Sequence, residues 1–312
     1  MAKIKILIIG YQKASLKIFF DSAYHLLSDK YIVEIYQGSL LSKNFINKSF
    51  SEKEYSFLKA YDLIITGTSE TLFEKNIWNY CFENNLKYVA FVDSLVNIKI
   101  RFSGIKNFPK TILTTSNVSS IKIKKIFPVK SQSSKIINIG FISHIFLKRK
   151  IKNNIKQNSI LYLTSDIGIQ NEIGIINNLI KYSNNKKYLF NICVHPRENM
   201  HVYRLRLEKK ISGKVYQNKF YSIAASASEV YGISTMGLLD LHIVGRKVFY
   251  YKHKKYLNRI FSLFLEYGIN HFEINKNQII RKKNKSKIKL PNQKIFIDSI
   301  KQIIKKNYNQ FR

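Results

Sequence analysis

Four short segments gather polar side chains directly behind apolar runs, which is where parallel α/β folds present functional groups. The richest is Val194-His195-Pro196-Arg197-Glu198-Asn199, behind the run Tyr188 to Val194. Pro196 stops the strand and fixes the turn. His195 supplies a hydrogen-bond donor, and Arg197 a planar fork able to clamp a phosphate or carboxylate. Glu198 can orient Arg197 or meet a ribose hydroxyl. A polar turn with a local Arg/Glu pair is the plainer alternative. The second segment is Val230-Tyr231-Gly232-Ile233-Ser234-Thr235-Met236-Gly237-Leu238-Leu239-Asp240. Ser234 or Thr235 is placed to cap a helix whose free N–H groups form an anion site suited to a diphosphate. Asp240 lies about one and a half turns into that helix, facing either a cleft or solvent. The alternative here is an ordinary capped helix.

The third segment is Val92-Asp93-Ser94-Leu95-Val96-Asn97, continuing to Arg101-Phe102. A carboxylate at a strand end can serve as general base toward a hydroxyl nucleophile. Asn97 and Arg101 form an i, i+4 pair if a helix follows, and Asp93 capping that helix is the equal alternative. In the fourth, Thr66-Gly67-Thr68-Ser69-Glu70, Ser69 capping a helix from Thr71 is a more economical account than a second carboxylate site. Several standard devices are missing. Gly10-Tyr11-Gln12-Lys13-Ala14-Ser15 is neither a dinucleotide fingerprint nor a P-loop. The seven histidines are scattered, and no Gly-x-Ser-x-Gly elbow occurs. Metal, nicotinamide and acyl-enzyme chemistry lose weight accordingly.

The elements that must position these residues follow an alternating rhythm. Apolar runs at Ile4 to Ile9, Tyr31 to Tyr36, Leu63 to Thr66, Tyr88 to Val92 and Thr111 to Thr115 are separated by helical patterns, one carrying Leu16, Phe19, Phe20, Ala23 and Leu27 and another spanning Thr71 to Asn84. Near-continuous apolar runs between helices require a parallel sheet covered on both faces. The pattern weakens between Pro128 and Asn158, through Ser131-Gln132-Ser133-Ser134 and the basic run Lys148 to Lys152. It restarts with strands at Ile160 to Leu163, Tyr188 to Val194, Lys214 to Tyr216, Glu229 to Ile233 and Lys247 to Tyr251. Helices near Glu172 to Tyr182 and Thr235 to Val244 lie among them. Arg281 to Lys287 reads as an exposed basic loop. After Pro291, Phe296, Ile300, Ile303, Ile304 and Phe311 share one helical face, so this helix packs on a domain. The expected domains are 1–140, 141–290 and a C-terminal helix, 291–312.

Length and composition bound the remaining options. The chain has 312 residues, a prior of about two domains, and 45% hydrophobic content excludes disorder as the main state. Two cysteines, Cys81 and Cys193, exclude a disulfide scaffold or cysteine-rich zinc site and point to a reducing compartment. The opening apolar run is far shorter than the ~20 residues of a membrane span, so the expected location is cytoplasmic, with peripheral contact at an inner membrane face as an option. Net charge is +34, spread widely among Asn, Ile and Tyr as an AT-rich genome imposes, and by itself it names no partner. The basic stretches lack interleaved aromatic residues, so specific nucleic-acid recognition is not expected.

The arrangement resembles GT-B glycosyltransferases, most closely the bacterial polysialyltransferase-like and capsule-type enzymes. The residues that carry the likeness are His195-Pro196, Ser234-Thr235 and Asp93, the last in Val92-Asp93-Ser94 where those families have an acidic triplet. The resemblance implies two Rossmann-like α/β domains facing each other across a cleft, with the C-terminal helix packing back. It implies an N-terminal domain that takes a glycan or glycolipid acceptor and a C-terminal domain that binds a nucleotide sugar as substrate, with no cofactor or metal. His195 would contact the nucleotide phosphate, Ser234 and Thr235 would hold the phosphate, and Asp93 would be the base. The same segment is similar to non-hydrolysing UDP-N-acetylglucosamine 2-epimerases, which carry His-Arg-Arg-Glu-Asn where this chain has His195 to Asn199. Their Ser-Gly-Gly turn is replaced by Ile233-Ser234-Thr235-Met236-Gly237. An epimerase and a non-enzymatic polyanion or membrane-surface binder are the rival readings.

Overall fold

The computed structural model describes residues 3–11, 15–37, 52–93, 97–142, 158–252, 261–276, 278–285 and 293–305. The chain divides into two units, Met1–Phe146 with Leu290–Arg312, and Leu147–Lys289.

The first unit alternates strand and helix: β1 (Lys5–Gly10), α1 (Ser15–Leu27), β2 (Ile32–Gln37), β3 (Leu63–Thr66), α2 (Leu72–Glu83), β4 (Tyr88–Val92), α3 (Ile98–Phe102), β5 (Thr111–Thr114), α4 (Asn117–Ile126), α5 (Pro128–Gln132) and β6 (Lys135–Asn138). The strands form one parallel sheet in the order β2-β1-β3-β4-β5-β6. β3 and β4 are buried along their whole length, and β1 from Ile6 to Gly10, which is why their sequences read as unbroken apolar runs. Ile6, Ile8, Ile65, Val89 and Phe91 pack with Phe20, Ala23 and Leu27 of α1. Trp78 of α2 stacks on Phe102, ring centroids 5.6 Å apart, and its indole N–H donates to Thr66 Oγ1 at 2.7 Å. The indole polar atom is thereby satisfied inside the core.

The second unit repeats the plan: β7 (Ser159–Leu163), α6 (Ile169–Asn185), β8 (Leu189–Val194), α7 (Met200–Leu207), β9 (Val215–Gln217), α8 (Phe220–Ser226), β10 (Glu229–Gly232), α9 (Met236–Ile243), β11 (Lys247–Tyr251), α10 (Phe261–Tyr267), β12 (Asn270–Asn275) and β13 (Gln278–Lys282). The sheet order is β13-β12-β11-β10-β7-β8-β9, parallel except for the β12–β13 pair. From β7 the chain winds outward through β8 and β9, then returns to β10 on the other side. The gap between β7 and β10 is therefore the topological switch point, where such sheets open a crevice at their carboxyl ends. The closing helix α11 (Gln293–Lys305) belongs to the first unit, burying Phe296, Ile300 and Ile304 in its core and packing Ile303 against it.

Two strands run where the sequence reads as irregular. β6 is an edge strand, with Lys135 exposed and Ile136 to Asn138 half-buried, so it lacks the apolar signature of its neighbours. β13 occupies the start of the expected basic loop. Its inward positions are Ile279 and Arg281, and a guanidinium at an inward position hides the period-two pattern. Arg281 lies over the rings of Tyr182, Tyr231 and Phe249, and bonds to Glu229 and to the Tyr182 and Tyr231 hydroxyls. The basic run Lys148 to Lys152, along with Ser94, Ser286, Lys287, Phe311 and the side chains of Leu16 and Phe19, lies outside the described residues.

Candidate functional site

The carboxyl ends of β7, β8 and β10 carry three turns that are bonded to one another. Behind β7 come Thr164, Ser165, Asp166, Ile167 and Gly168, before α6 begins. Thr164 Oγ1 accepts from the His195 backbone N–H at 2.7 Å and donates to Glu198. Ser165 Oγ accepts from the N–H groups of Ile233 and Ser234, at 3.3 and 3.0 Å. Two neighbouring hydroxyls directly behind β7 thus hold the turn after β8 on one side and the turn after β10 on the other. The sheet register places them there, because β7 sits between β8 and β10.

Glu198 anchors the β8 turn from below. One carboxylate oxygen accepts from Gly168 N–H at 3.0 Å and the Tyr203 hydroxyl at 2.9 Å, and the other accepts from Thr164. Gln217 of β9 reaches across to the backbone carbonyls of His195 and Glu198, at 3.1 and 2.8 Å. Glu198 therefore does not pair with Arg197, as adjacency in sequence led one to expect, and its oxygens are committed to the turn itself. Arg197 pairs instead with Asp166, Nη2 to Oδ2 at 2.7 Å, while its side chain stays 75% exposed. Asp166 has a φ of +57°, a left-handed geometry that Asp tolerates better than most residues. Asn199 caps α7, its Oδ1 accepting from His201 N–H at 2.9 Å.

The orientation of His195 follows from these contacts. Nδ1 accepts from the Arg197 backbone N–H at 3.3 Å, which assigns the proton of the neutral ring to Nε2. Desolvation lowers the imidazole pKa, only partly opposed by Asp166, whose Oδ1 lies 3.9 Å from Nδ1. A neutral ring with a fixed Nε2–H donor results. Deeper in the same layer, Ser165 N–H donates to Glu172 at 2.8 Å, and burial, reinforced by the nearby Glu198 charge, pushes the Glu172 carboxyl up to about 8.

The β10 turn leads into α9, whose N-cap is Thr235 with no side-chain capping bond. Ser234 Oγ is buried and has no hydrogen-bond partner among the described residues. Leu238 N–H donates to the Thr235 carbonyl at 3.1 Å, so the start of α9 offers the N–H groups of Met236 and Gly237, beside two hydroxyls that have no partner among the described residues. Gly232 is required for this approach, since a Cβ there would lie 2.8 Å from the Leu163 carbonyl. Asp240 falls one turn behind Met236. Among the described residues its carboxylate has no hydrogen-bond partner, and desolvation raises its pKa to about 7.

In the first unit, Asp93 and Arg101 are both buried and form a salt bridge. The same Arg101 Nη1 donates to Thr68 Oγ1 at 3.2 Å, which donates in turn to the Phe91 carbonyl at 3.0 Å. Asp93 does not cap the following helix: the N-cap of α3 is Asn97, at φ +57°. Asn97 Nδ2 bonds to Glu70, so Asn97 and Arg101 each hold a carboxylate from the ends of β3 and β4. Ser69 Oγ accepts from Thr71 N–H at 3.2 Å and bonds to the buried Glu74, but the N-cap of α2 is Thr71. Burial raises the Glu74 pKa, opposed by its bonds to Ser69 and to the backbone of Tyr11.

The structure brings His195, Arg197, Ser234 and Thr235 to one strand-end layer of the second unit and Asp93, Asn97 and Arg101 to one of the first, while Asp240 sits a turn inside α9 with no contact to the strand-end turns among the described residues. Sequence reasoning missed Thr164, Ser165 and Asp166, although they directly follow the first strand of the second half. Among the described residues no three His, Cys, Asp or Glu side chains gather as a metal site, and no helix is long and apolar enough to cross a membrane.

No protein-family profile matches the chain, and no curated protein matches its sequence. Solved structures do resemble it. A Listeria monocytogenes protein assigned as a UDP-N-acetylglucosamine 2-epimerase superposes with a TM-score of 0.55 at 10% identity, covering 99% of this chain and 89% of that one. A glycosyltransferase from Rickettsia africae gives 0.52 at 10% identity, covering 97% and 88%. An alpha-glucosyltransferase in complex with UDP-glucose and DNA containing an abasic site gives 0.50 at 11% identity, covering 80% of each chain. At such identities the likeness is one of fold: two parallel α/β units of the GT-B type.

Proposed function

We propose that the protein is a glycosyltransferase that moves a sugar from a nucleotide-activated donor to a surface-glycan or related acceptor. One observation carries this reading: Thr164 and Ser165 tie a neutral imidazole donor and an uncapped helix start to the same strand end, at the switch point of the second unit. Polar groups left unused at a helix N-terminus are suited to phosphate oxygens. His195 Nε2–H and the N–H groups at the start of α9 would bind the leaving phosphates, with Ser234 and Thr235 donating their hydroxyls. Arg197 would swing from Asp166 to the same anion, and Asp240 would accept from a donor hydroxyl. Charge developing on the leaving group is then met by fixed donors, so no divalent metal is required. Asp93, oriented by Arg101, would take the acceptor proton, with Asn97 as a further substrate contact.

A thermal-shift panel of CMP, CDP, UDP, GDP and their sugars tests the reading. A ligand at about 100 times its Kd stabilises by roughly 2.7 kcal/mol, so at least one nucleotide should raise Tm by several degrees. His195→Ala should weaken that nucleotide about tenfold, the value of one lost hydrogen bond. No shift with any nucleotide refutes the proposal. EDTA should leave transfer unchanged.

The epimerase reading has its own support in the segment from His195 to Asn199. Incubation with UDP-N-acetylglucosamine and no acceptor separates the two, since only an epimerase turns over under that condition.

A further inference from the structure

Acidic residues are unevenly distributed along the chain. The 72 residues from Ser94 to Ser165 hold 14 Lys and Arg and no Asp or Glu, so all 19 acidic residues lie elsewhere. In the first unit this stretch builds α3, β5, α4, α5 and β6. Helix α4 buries Ser119 and Ile123 and turns Asn117, Ile121, Lys124 and Lys125 outward, a spacing that keeps all four on one face. Phe127 closes α4 and opens α5, where Pro128, Val129 and Lys130 are exposed. Ile121 is 65% exposed and Val129 78%. Helix α3, which packs on α4, adds exposed Lys99 and Ile100. Beneath them Phe102, Phe108 and Phe127 form one ring cluster with centroids 5.2 to 6.0 Å apart, which fixes the helices to each other. Among the described residues Lys124 and Lys125 make no salt bridge.

We propose that the outer face of α3, α4 and α5 docks the protein on an anionic lipid bilayer. Isolated aliphatic side chains ringed by lysines match what such a surface takes: shallow insertion of Ile and Val below the headgroups, and countercharge in the headgroup plane. The exposed positions of α4 and α5 include no aromatic or arginine residue, the anchors on which protein interfaces centre. Helices α3, α4 and α5 carry no acidic side chain of their own, and exposed Glu70, which bonds to Asn97 at the start of α3, stands at the edge of the face. Its residues differ from those of the two expected basic stretches, and the proposal does not rest on the donor-site reading.

The test is co-sedimentation of the full chain with vesicles of phosphatidylcholine alone or with one third phosphatidylglycerol, at low and high salt. Binding should require the anionic lipid and fall with salt. Lys124→Glu with Lys125→Glu should cut partition into anionic vesicles more than twentyfold, at about fivefold for each lysine lost. Ile121→Ser with Val129→Ser should cut it several-fold at unchanged charge. The control Lys209→Glu with Lys210→Glu makes the same charge change on the second unit and should cost less than twofold. Equal losses in the patch and control variants would overturn the proposal, as would vesicle binding indifferent to the α4 changes. Thermal melts of each variant separate lost binding from lost folding.

Discussion

Asp240 offers a sharp test because its effects on stability and on binding should oppose each other. Burial raises its carboxyl to about 7, against an ordinary aspartate value of about 4. The folded protein thus holds a proton that the unfolded chain releases, and stability falls as pH rises from about 4 to about 7, then levels off. Three pKa units at about 1.4 kcal/mol each set an upper bound near ~4 kcal/mol on this penalty. Water reaches the half-buried side chain, so about 2 kcal/mol is the working figure. Asp240→Asn keeps the shape and removes the charge. At pH 8 it should stabilise the second unit by about 2 kcal/mol, raising Tm by roughly 4–8 °C, and at pH 4 it should have little effect. If the carboxylate accepts from a donor hydroxyl, the same variant should lose about tenfold in nucleotide-sugar affinity. Scanning fluorimetry across pH 4 to 9, paired with calorimetric titration, reads both quantities. A lower Tm at pH 8 would mean that the carboxylate serves the fold, and the reasoning would be refuted. Higher stability with unchanged affinity would remove Asp240 from the donor site.

Two further substitutions probe residues that act through others. Glu198→Ala strips three donors of their acceptor and should cost about 2–4 kcal/mol, together with nucleotide affinity, as the His195 turn loosens. Glu198→Gln should recover most of both, because its amide oxygen can serve Gly168 and Tyr203 while the Thr164 hydroxyl turns to accept; failure of that rescue in urea melts would refute the anchoring role. Arg281→Ala leaves the buried Glu229 with the Tyr231 hydroxyl and, for countercharge, the exposed Lys247, and it removes three ring contacts, a loss of about 3 kcal/mol by urea denaturation. A midpoint like that of the unaltered protein would show that the network contributes nothing net.

What the sequence disclosed and what it hid divide along a physical line. Strands buried on both faces must be apolar throughout, so β4 matches its apolar run to the residue; β11 does too, its buried Val248 to Tyr250 flanked by exposed Lys247 and half-buried Tyr251. Elements that stand at an edge or carry a charge inward break that rule, as β6 and β13 do: Arg281 disguises a strand because its stem lies over aromatic faces while its head meets Glu229. The site shows the same division. Strand ends drew attention to His195, Ser234 and Asp93 because a polar side chain after an apolar run is a local signal. Their partners are not local. Asp166 meets Arg197 from the neighbouring strand, and Arg101 meets Asp93 from a helix that begins five residues later. Adjacency pointed to Glu198 as the mate of Arg197, yet the turn directs the two side chains to different carboxylates and donors. A sheet order of β10-β7-β8 would have been enough to correct this in advance. It places the residues after β7 between the other two turns, so Thr164, Ser165 and Asp166 are where partners for both must be sought.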